Sequence, residues 1–303
     1  MRDISMPRLL AADLDDRSVN LASYGRSVFF DQLFHIILWA CGLIGFLLPV
    51  LIIGYLLIHG SHSLSWAFLF DHPRGAPLGT AGGIGPAIQG SFALALCGLL
   101  MAFPLALAGG VYLSEYGRSR IFNDSARFIV ECLAAVPSVI YGLFGYAFLV
   151  VFLKFGISLL AGSIVLALIM FPIMLISIQE AFRAVDPGYR ETALSLGVTR
   201  WYLVRKILLP KAWPGIVAGV VLAVGHAVGS AAPVLFTASI YFSKGGLKLE
   251  QPVMTLPTHL YHLVSEAISF DQAYGTALVL IIGLLLFNMS ALLIRKIGGA
   301  AST

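Results

Sequence analysis

The sequence predicts an all-α polytopic membrane protein with about six transmembrane helices, and three observations carry that prediction. The 303 residues are 59% hydrophobic and only 11% charged, against roughly 25% charged residues in an ordinary soluble domain; the mean hydropathy is +0.92. A hydrocarbon core about 30 Å thick needs about 20 helical residues per crossing, and six stretches meet that length, near 34–58, 88–112, 128–153, 157–178, 213–237 and 273–294. With the N-terminus inside, the inner segments hold fifteen of the nineteen Lys and Arg, and only Arg74, Lys154, Lys244 and Lys248 fall outside. This asymmetry predicts that both termini face the cytoplasm. It also accounts for the net charge of +4 by topology, so that membrane lipid is an expected partner and nucleic acid is not.

Residues 1–33 form a tail with four Arg and five Asp. They are not the short basic region of a cleavable signal, so the first apolar helix, 34–58, is expected to be retained. Cys41, Cys97 and Cys132 lie in separate apolar stretches without a CxxC pair and read as packing thiols. No GxxxxGK[ST] loop occurs, so any ATP belongs to another subunit. In the third stretch, Pro137 removes a backbone donor and leaves a carbonyl to be satisfied by protein or a wet cavity, with Ser138 placed to help.

The one long polar interruption, 179–212, reads as two short helices. Asp186 caps a helix over about 187–196, with Pro187 at its first position and Gly197 just past its end. Thr199 caps a second helix in which Trp201, Val204, Ile207 and Leu208 share a face opposite Arg200, Arg205 and Lys206, until Pro210 stops it. Such an element could lie on the membrane surface. In the fifth stretch, Gly215, Gly219, Ala223, Ala227 and Ala231 recur every four residues and offer a smooth strip for a neighbouring helix. A second strip is polar: His226, Ser230 and Thr237, with Pro233 among them. His226 falls roughly 15–20 Å into the span, near mid-bilayer, where an ionisable group marks a candidate pathway. On the outer side His59, His62, His72, His259, His262 and Glu266 could be drawn together as a metal site, but no ligand set is local, and solvated surface is the expected state.

Glu191, Thr192, Ala193 and Gly197, followed nine residues later by Ile207, Leu209 and Pro210, resemble the EAA loop of ATP-binding-cassette (ABC) importer permeases; Thr192 stands where that motif usually has Ala. Further motifs resemble the phosphate permease family PstA: Gly82 to Ser91, Tyr112 to Tyr116, Val136 to Gly145, Ala227 to Gly229, Ala232 to Thr237, and Leu256-Pro257 with Leu260-Tyr261. The resemblance implies a MetI-like ABC transmembrane type-1 permease domain over 86–295, built from the second to sixth spans, in a bacterial inner membrane. It implies import of inorganic phosphate, no chemistry and no cofactor in this chain, and three kinds of partner besides lipid. These are a second related permease, two copies of an ATPase that binds the ATP, one of them docked on the EAA helix, and an external phosphate-binding protein. The candidate pathway residues are His226, Ser230, Pro233, Thr237, Pro137 and Ser138. The family usually has R-A-x-G-E-x-A-P where this chain has His226 to Pro233, so both charges are missing. A partner permease that supplies the cation is the favoured explanation; protonation of His226 as the anion arrives and a different oxyanion (phosphonate, sulfate, molybdate or tungstate) are the alternatives. An ion-gradient transporter would want mid-depth carboxylates, yet Glu131 is the only acid within a span and sits near its end.

Overall fold

The computed structural model describes residues 21–76, 79–117, 119–241 and 247–300. Of the charges counted above, Arg2, Arg8, Arg17, Arg118 and Lys244 lie outside these. The chain divides into two compact units, Met1–Tyr55 and Leu56–Thr303. The first helix, α1 (Leu21–Gly60), carries the boundary. It starts well before the apolar stretch expected at 34, because intrahelical hydrogen bonds do not end where the hydrocarbon does. From Asp31 to Ile52 its apolar side chains are exposed.

The second unit holds the remaining helices. They are α2 (Trp66–Phe70), α3 (Gly85–Tyr116), α4 (Arg120–Ala135), α5 (Ser138–Phe152), α6 (Leu159–Arg183), α7 (Pro187–Ser195), α8 (Arg200–Val228), α9 (Ala231–Thr237), α10 (Leu256–Ser265) and α11 (Phe270–Ala300). Two-residue strands Pro73–Arg74 and Ala81–Gly82 pair antiparallel. Helix α6 is the centre of the bundle: it is apolar on every side, and Val165, Met170, Met174, Ile178 and Phe182 are fully buried. Such an all-round apolar helix belongs inside a membrane bundle. Small residues let its neighbours close on it. On α3, Ala102 and Ala106 are buried and Gly98 abuts Leu166. On α8, a Cβ at Gly215 would lie 2.8 Å from Ala181, and one at Gly219 would collide with Ser177. The strip expected on the fifth span is therefore where α6 packs.

Three expectations change. Among the described residues, five helices are long and apolar enough to cross a membrane, and a bent pair taken as one span makes up the six expected; that pair is the third stretch, which is not one helix but α4 and α5, bent by 89°. The pair breaks because Pro137 cannot continue α4 and restricts Val136 to extended backbone, φ −67° and ψ 127°. Pro210 does not stop a helix: α8 runs through it. The turn Leu203–Leu208 is wound as a π-helix, with the Leu209 N–H reaching back to Val204 O, and this wider turn accommodates the missing donor and the ring of Pro210. The wider winding also turns the buried face to Leu203, Val204 and Leu208 and leaves Trp201 exposed. The fifth span, finally, is interrupted at Gly229 and Ser230, where α9 restarts.

At the end opposite α7, the 59–86 segment that carried little sequence signal forms a small second core. Phe68, Ile84, Ala87, Met254 and Leu256 bury one another there, and Ser65 caps α2 by accepting from Phe68 N–H at 3.0 Å. His259 is not on the surface: it is 3% exposed, because α10 begins deep, at Thr255, whose N–H donates to Thr258 Oγ1 at 3.3 Å. Among the described residues no three metal-ligating side chains converge. Cys41 and Cys132 lie on exposed helix faces, so they do not pack inside this chain, and Cys97 is half-buried.

Candidate coupling helix and substrate pathway

The α7 helix is closed at both ends by its own sequence. Asp186 Oδ1 accepts from Gly188 N–H at 2.7 Å, and Pro187, which has no N–H to lose, starts the helix. At the other end Val198 N–H reaches Ala193 O at 3.1 Å and Gly197 N–H reaches Leu194 O at 3.0 Å, the paired bonds of a Schellman motif. Gly197 sits at φ +73° with open space around it, so its glycine serves the left-handed backbone alone. Thr199 then caps α8, accepting from Tyr202 N–H at 3.4 Å. Ala193 faces inward and is buried; Glu191, Thr192, Leu194 and Leu196 face outward, Leu196 being 75% exposed. Ile207 and Leu209 are half-buried and Pro210 is exposed.

Two residues outside the motif lock this helix in place. Arg190 Nη2 lies 2.6 Å from Glu115 Oε1, its Nε is 3.2 Å from both carboxylate oxygens, and Nη2 and Nη1 donate to Phe182 O at 2.7 Å and Val185 O at 2.9 Å. The side chains are 23% and 10% exposed. A planar guanidinium satisfying a carboxylate and two helix-end carbonyls at once is a fork that Lys cannot reproduce. Arg200 Nη1 adds a bond to Glu115 O at 3.1 Å. Sequence reading missed this pair, since nothing local links positions 115 and 190. Beside α7 opens a groove of about 910 Å³ lined by Glu180, Gly215 and Asn288, among others, with Lys211 Nζ 4.1 Å above the Tyr189 ring.

The candidate pathway residues separate into two groups. His226 lies on the exposed side of α8, and half-buried Ser230 donates from Oγ to His226 O at 3.0 Å. Pro233 and Thr237 are buried, and Thr237 Oγ1 donates to Pro233 O at 2.7 Å. The single polar strip expected on a continuous helix is thus divided by the break at Gly229. Pro233 was the available signal: it fits without loss as the third residue of a new helix, where no intrahelical donor is required. Helix α9 packs on α5, where a Cβ at Gly142 would lie 2.7 Å from Pro233 Cα. At the bend, Ser138 is half-buried, but the Leu133 carbonyl, which loses the N–H that Pro137 lacks, accepts from Val136 N–H at 3.2 Å and from Tyr141 Oη at 2.8 Å, a role that had been expected of Ser138.

A family model described as binding-protein-dependent transport system inner membrane component matches residues 102–298. The chain is 30% identical, over 82% of its length and 90% of the relative, to a probable ABC transporter permease protein, YqgI, of Bacillus subtilis. It is 33% identical to the phosphate transport system permease protein PstA of Xylella fastidiosa, over 71% of this chain and 76% of that one. With PstA 2 of Mycobacterium bovis the identity is 35%, over 73% of each. Among solved structures, the MetNI methionine ABC transporter in an inward-facing conformation matches with a TM-score of 0.60 at 19% identity, over 70% of this chain and 94% of that chain. A bacterial alginate ABC transporter matches at 0.61 and 16%, over 92% and 98%. At these identities the two structures show the fold.

Proposed function

Because the chain belongs to the family of binding-protein-dependent transport system inner membrane components, we propose that it is a permease subunit of an ATP-driven importer of inorganic phosphate. The observation that carries the coupling half of this reading is α7. It is a short helix capped at both ends, held from within by Arg190 and presenting Glu191, Leu194 and Leu196 outward. An exposed apolar patch on an otherwise rigid element fits a docking surface, and here the partner is a cytoplasmic ATPase. The Lys and Arg asymmetry of the loops supports a cytoplasmic side for α7 and both termini. The chain does no bond chemistry; ATP is bound and hydrolysed by two copies of the ATPase, and their closure moves α7.

The substrate half rests on relatives named as phosphate permeases that cover 71–74% of the chain. Phosphate carries one to two negative charges and is best met by an Arg fork. This chain offers His226 and Ser230 instead, with His226 exposed, so a second permease closes the pathway and supplies the cation, while an external binding protein delivers the anion. Residues 86–295 form the permease domain, with His226, Ser230 and Pro233 nearest the pathway. Reconstitution with the ATPase, partner permease and binding protein tests the reading. ATP hydrolysis should rise with phosphate and not with sulfate, molybdate or a phosphonate; stimulation by one of those instead would replace phosphate as the substrate.

A further inference from the structure

We infer that Glu115 is the joint through which movement of α7 reaches α3, with Arg190 and Arg200 as its positioning residues. The inference rests on the coupling role proposed for α7. Covalently, α7 is joined only to α6 and α8. Its polar link to α3 crosses 75 residues of sequence and is made by the Arg190 fork on the Glu115 carboxylate. The same guanidinium holds Phe182 O in the last turn of α6 and Val185 O in the link that follows it. One side chain therefore fixes α7 against two membrane helices in orientation as well as distance, because a planar fork admits one geometry. From the other side, Arg200 at the start of α8 binds the Glu115 carbonyl, so the first residue of α8 and the coupling helix meet on a single residue of α3. Beyond Glu115, α3 and α6 are packed closely through Ala102, Ala106 and Gly110, where a Cβ at Gly110 would lie 2.6 Å from Ile178 Cγ2. Close-packed interiors pass on a displacement rather than absorb it. Helices α3 and α6 should thus follow α7 as one body, and α8 is reached through the left-handed turn at Gly197 and the Arg200 bond to the same Glu115.

The test uses the complete transporter in proteoliposomes, with Glu115→Gln and Arg190→Lys. The ATPase subunits should co-purify in the wild-type ratio and ATP hydrolysis should persist, while anion taken up per ATP falls about tenfold, within the range typical of coupling between sites. Spin labels at exposed Leu105 and Ser195, neither of them in the docking patch, give a reading that needs ATP alone. Their separation should keep one narrow distribution on ATP binding in the wild type and broaden in Glu115→Gln. Unchanged uptake per ATP, unchanged distances, or loss of the ATPase from the variant complex would each overturn the inference. If the buried variants do not accumulate, Arg200→Ala decides, since Arg200 is exposed: loss of one charge-assisted bond should lower uptake per ATP about fivefold, and no loss refutes the joint. Failure of the phosphate reading would appear in the wild type, as absent phosphate uptake, and would leave the label distances to decide this point.

Discussion

His226 lies in the last turn of α8, just before the break that separates it from α9, on an exposed face of the helix. An imidazole there offers an N–H to an anion, and the bond strengthens once a partner closes the pathway and excludes water. Its contribution is then a hydrogen bond to a charged group. His226→Ala should slow phosphate uptake about tenfold while the ATPase still co-purifies with the permease. Wild-type uptake in that variant would remove His226 from the pathway. Thr237 should behave differently: it is buried with its hydroxyl already bonded to Pro233 O, so Thr237→Val should leave uptake near the wild-type rate.

At the level of elements, the helix ends were legible in the sequence and the interruptions were not. Asp186, Pro187, Gly197 and Thr199 act on backbone groups within a few residues of themselves, so the local pattern is sufficient. Pro210 was misread because a proline usually ends a helix, and nothing in the flanking residues announces that a π-turn will absorb it. Pro137 correctly marked a defect, but the partner for the freed carbonyl, Tyr141, lies eight residues beyond Leu133 across an 89° bend. The Glu115–Arg190 pair depends on tertiary packing alone. Two predictions belong here. Tyr141→Phe removes the only side-chain bond to Leu133 O among the described residues, and should cost about 1 kcal/mol, read as a lowered Tm of the purified permease. Glu191→Lys reverses a charge on the exposed side of α7 and should abolish ATP-driven uptake with normal amounts of permease in the membrane; unchanged uptake would count against docking at this helix.

Across the whole second unit, the two ends of the bundle are stabilised by different chemistry, and this makes stability depend on pH in a definite direction. The α7 end is held by Arg–carboxylate and capping bonds, whereas the opposite end is an apolar core reached by the buried start of α10. His259 lies in that short helix, outside the spanning segments. Burial, and then the nearby charge of His262, push its pKa from 6.5 down to about 4. Above pH 6.5 His259 is neutral whether the chain is folded or not, and its packing is fully available. Between 6.5 and 4 the unfolded chain takes up a proton that the folded chain refuses, so stability falls as the pH drops, by roughly 3 kcal/mol over the window; below 4 both forms are protonated and this loss ends. Neighbouring His262, paired with Glu266 at 3.4 Å, keeps its partner in either variant and serves as an internal control. Replacing His259 by Gln, which cannot be protonated, should therefore narrow the difference in Tm between pH 7 and pH 4.5. An equal drop in Tm in both proteins would assign the acid sensitivity to other groups and leave His259 as a packing residue.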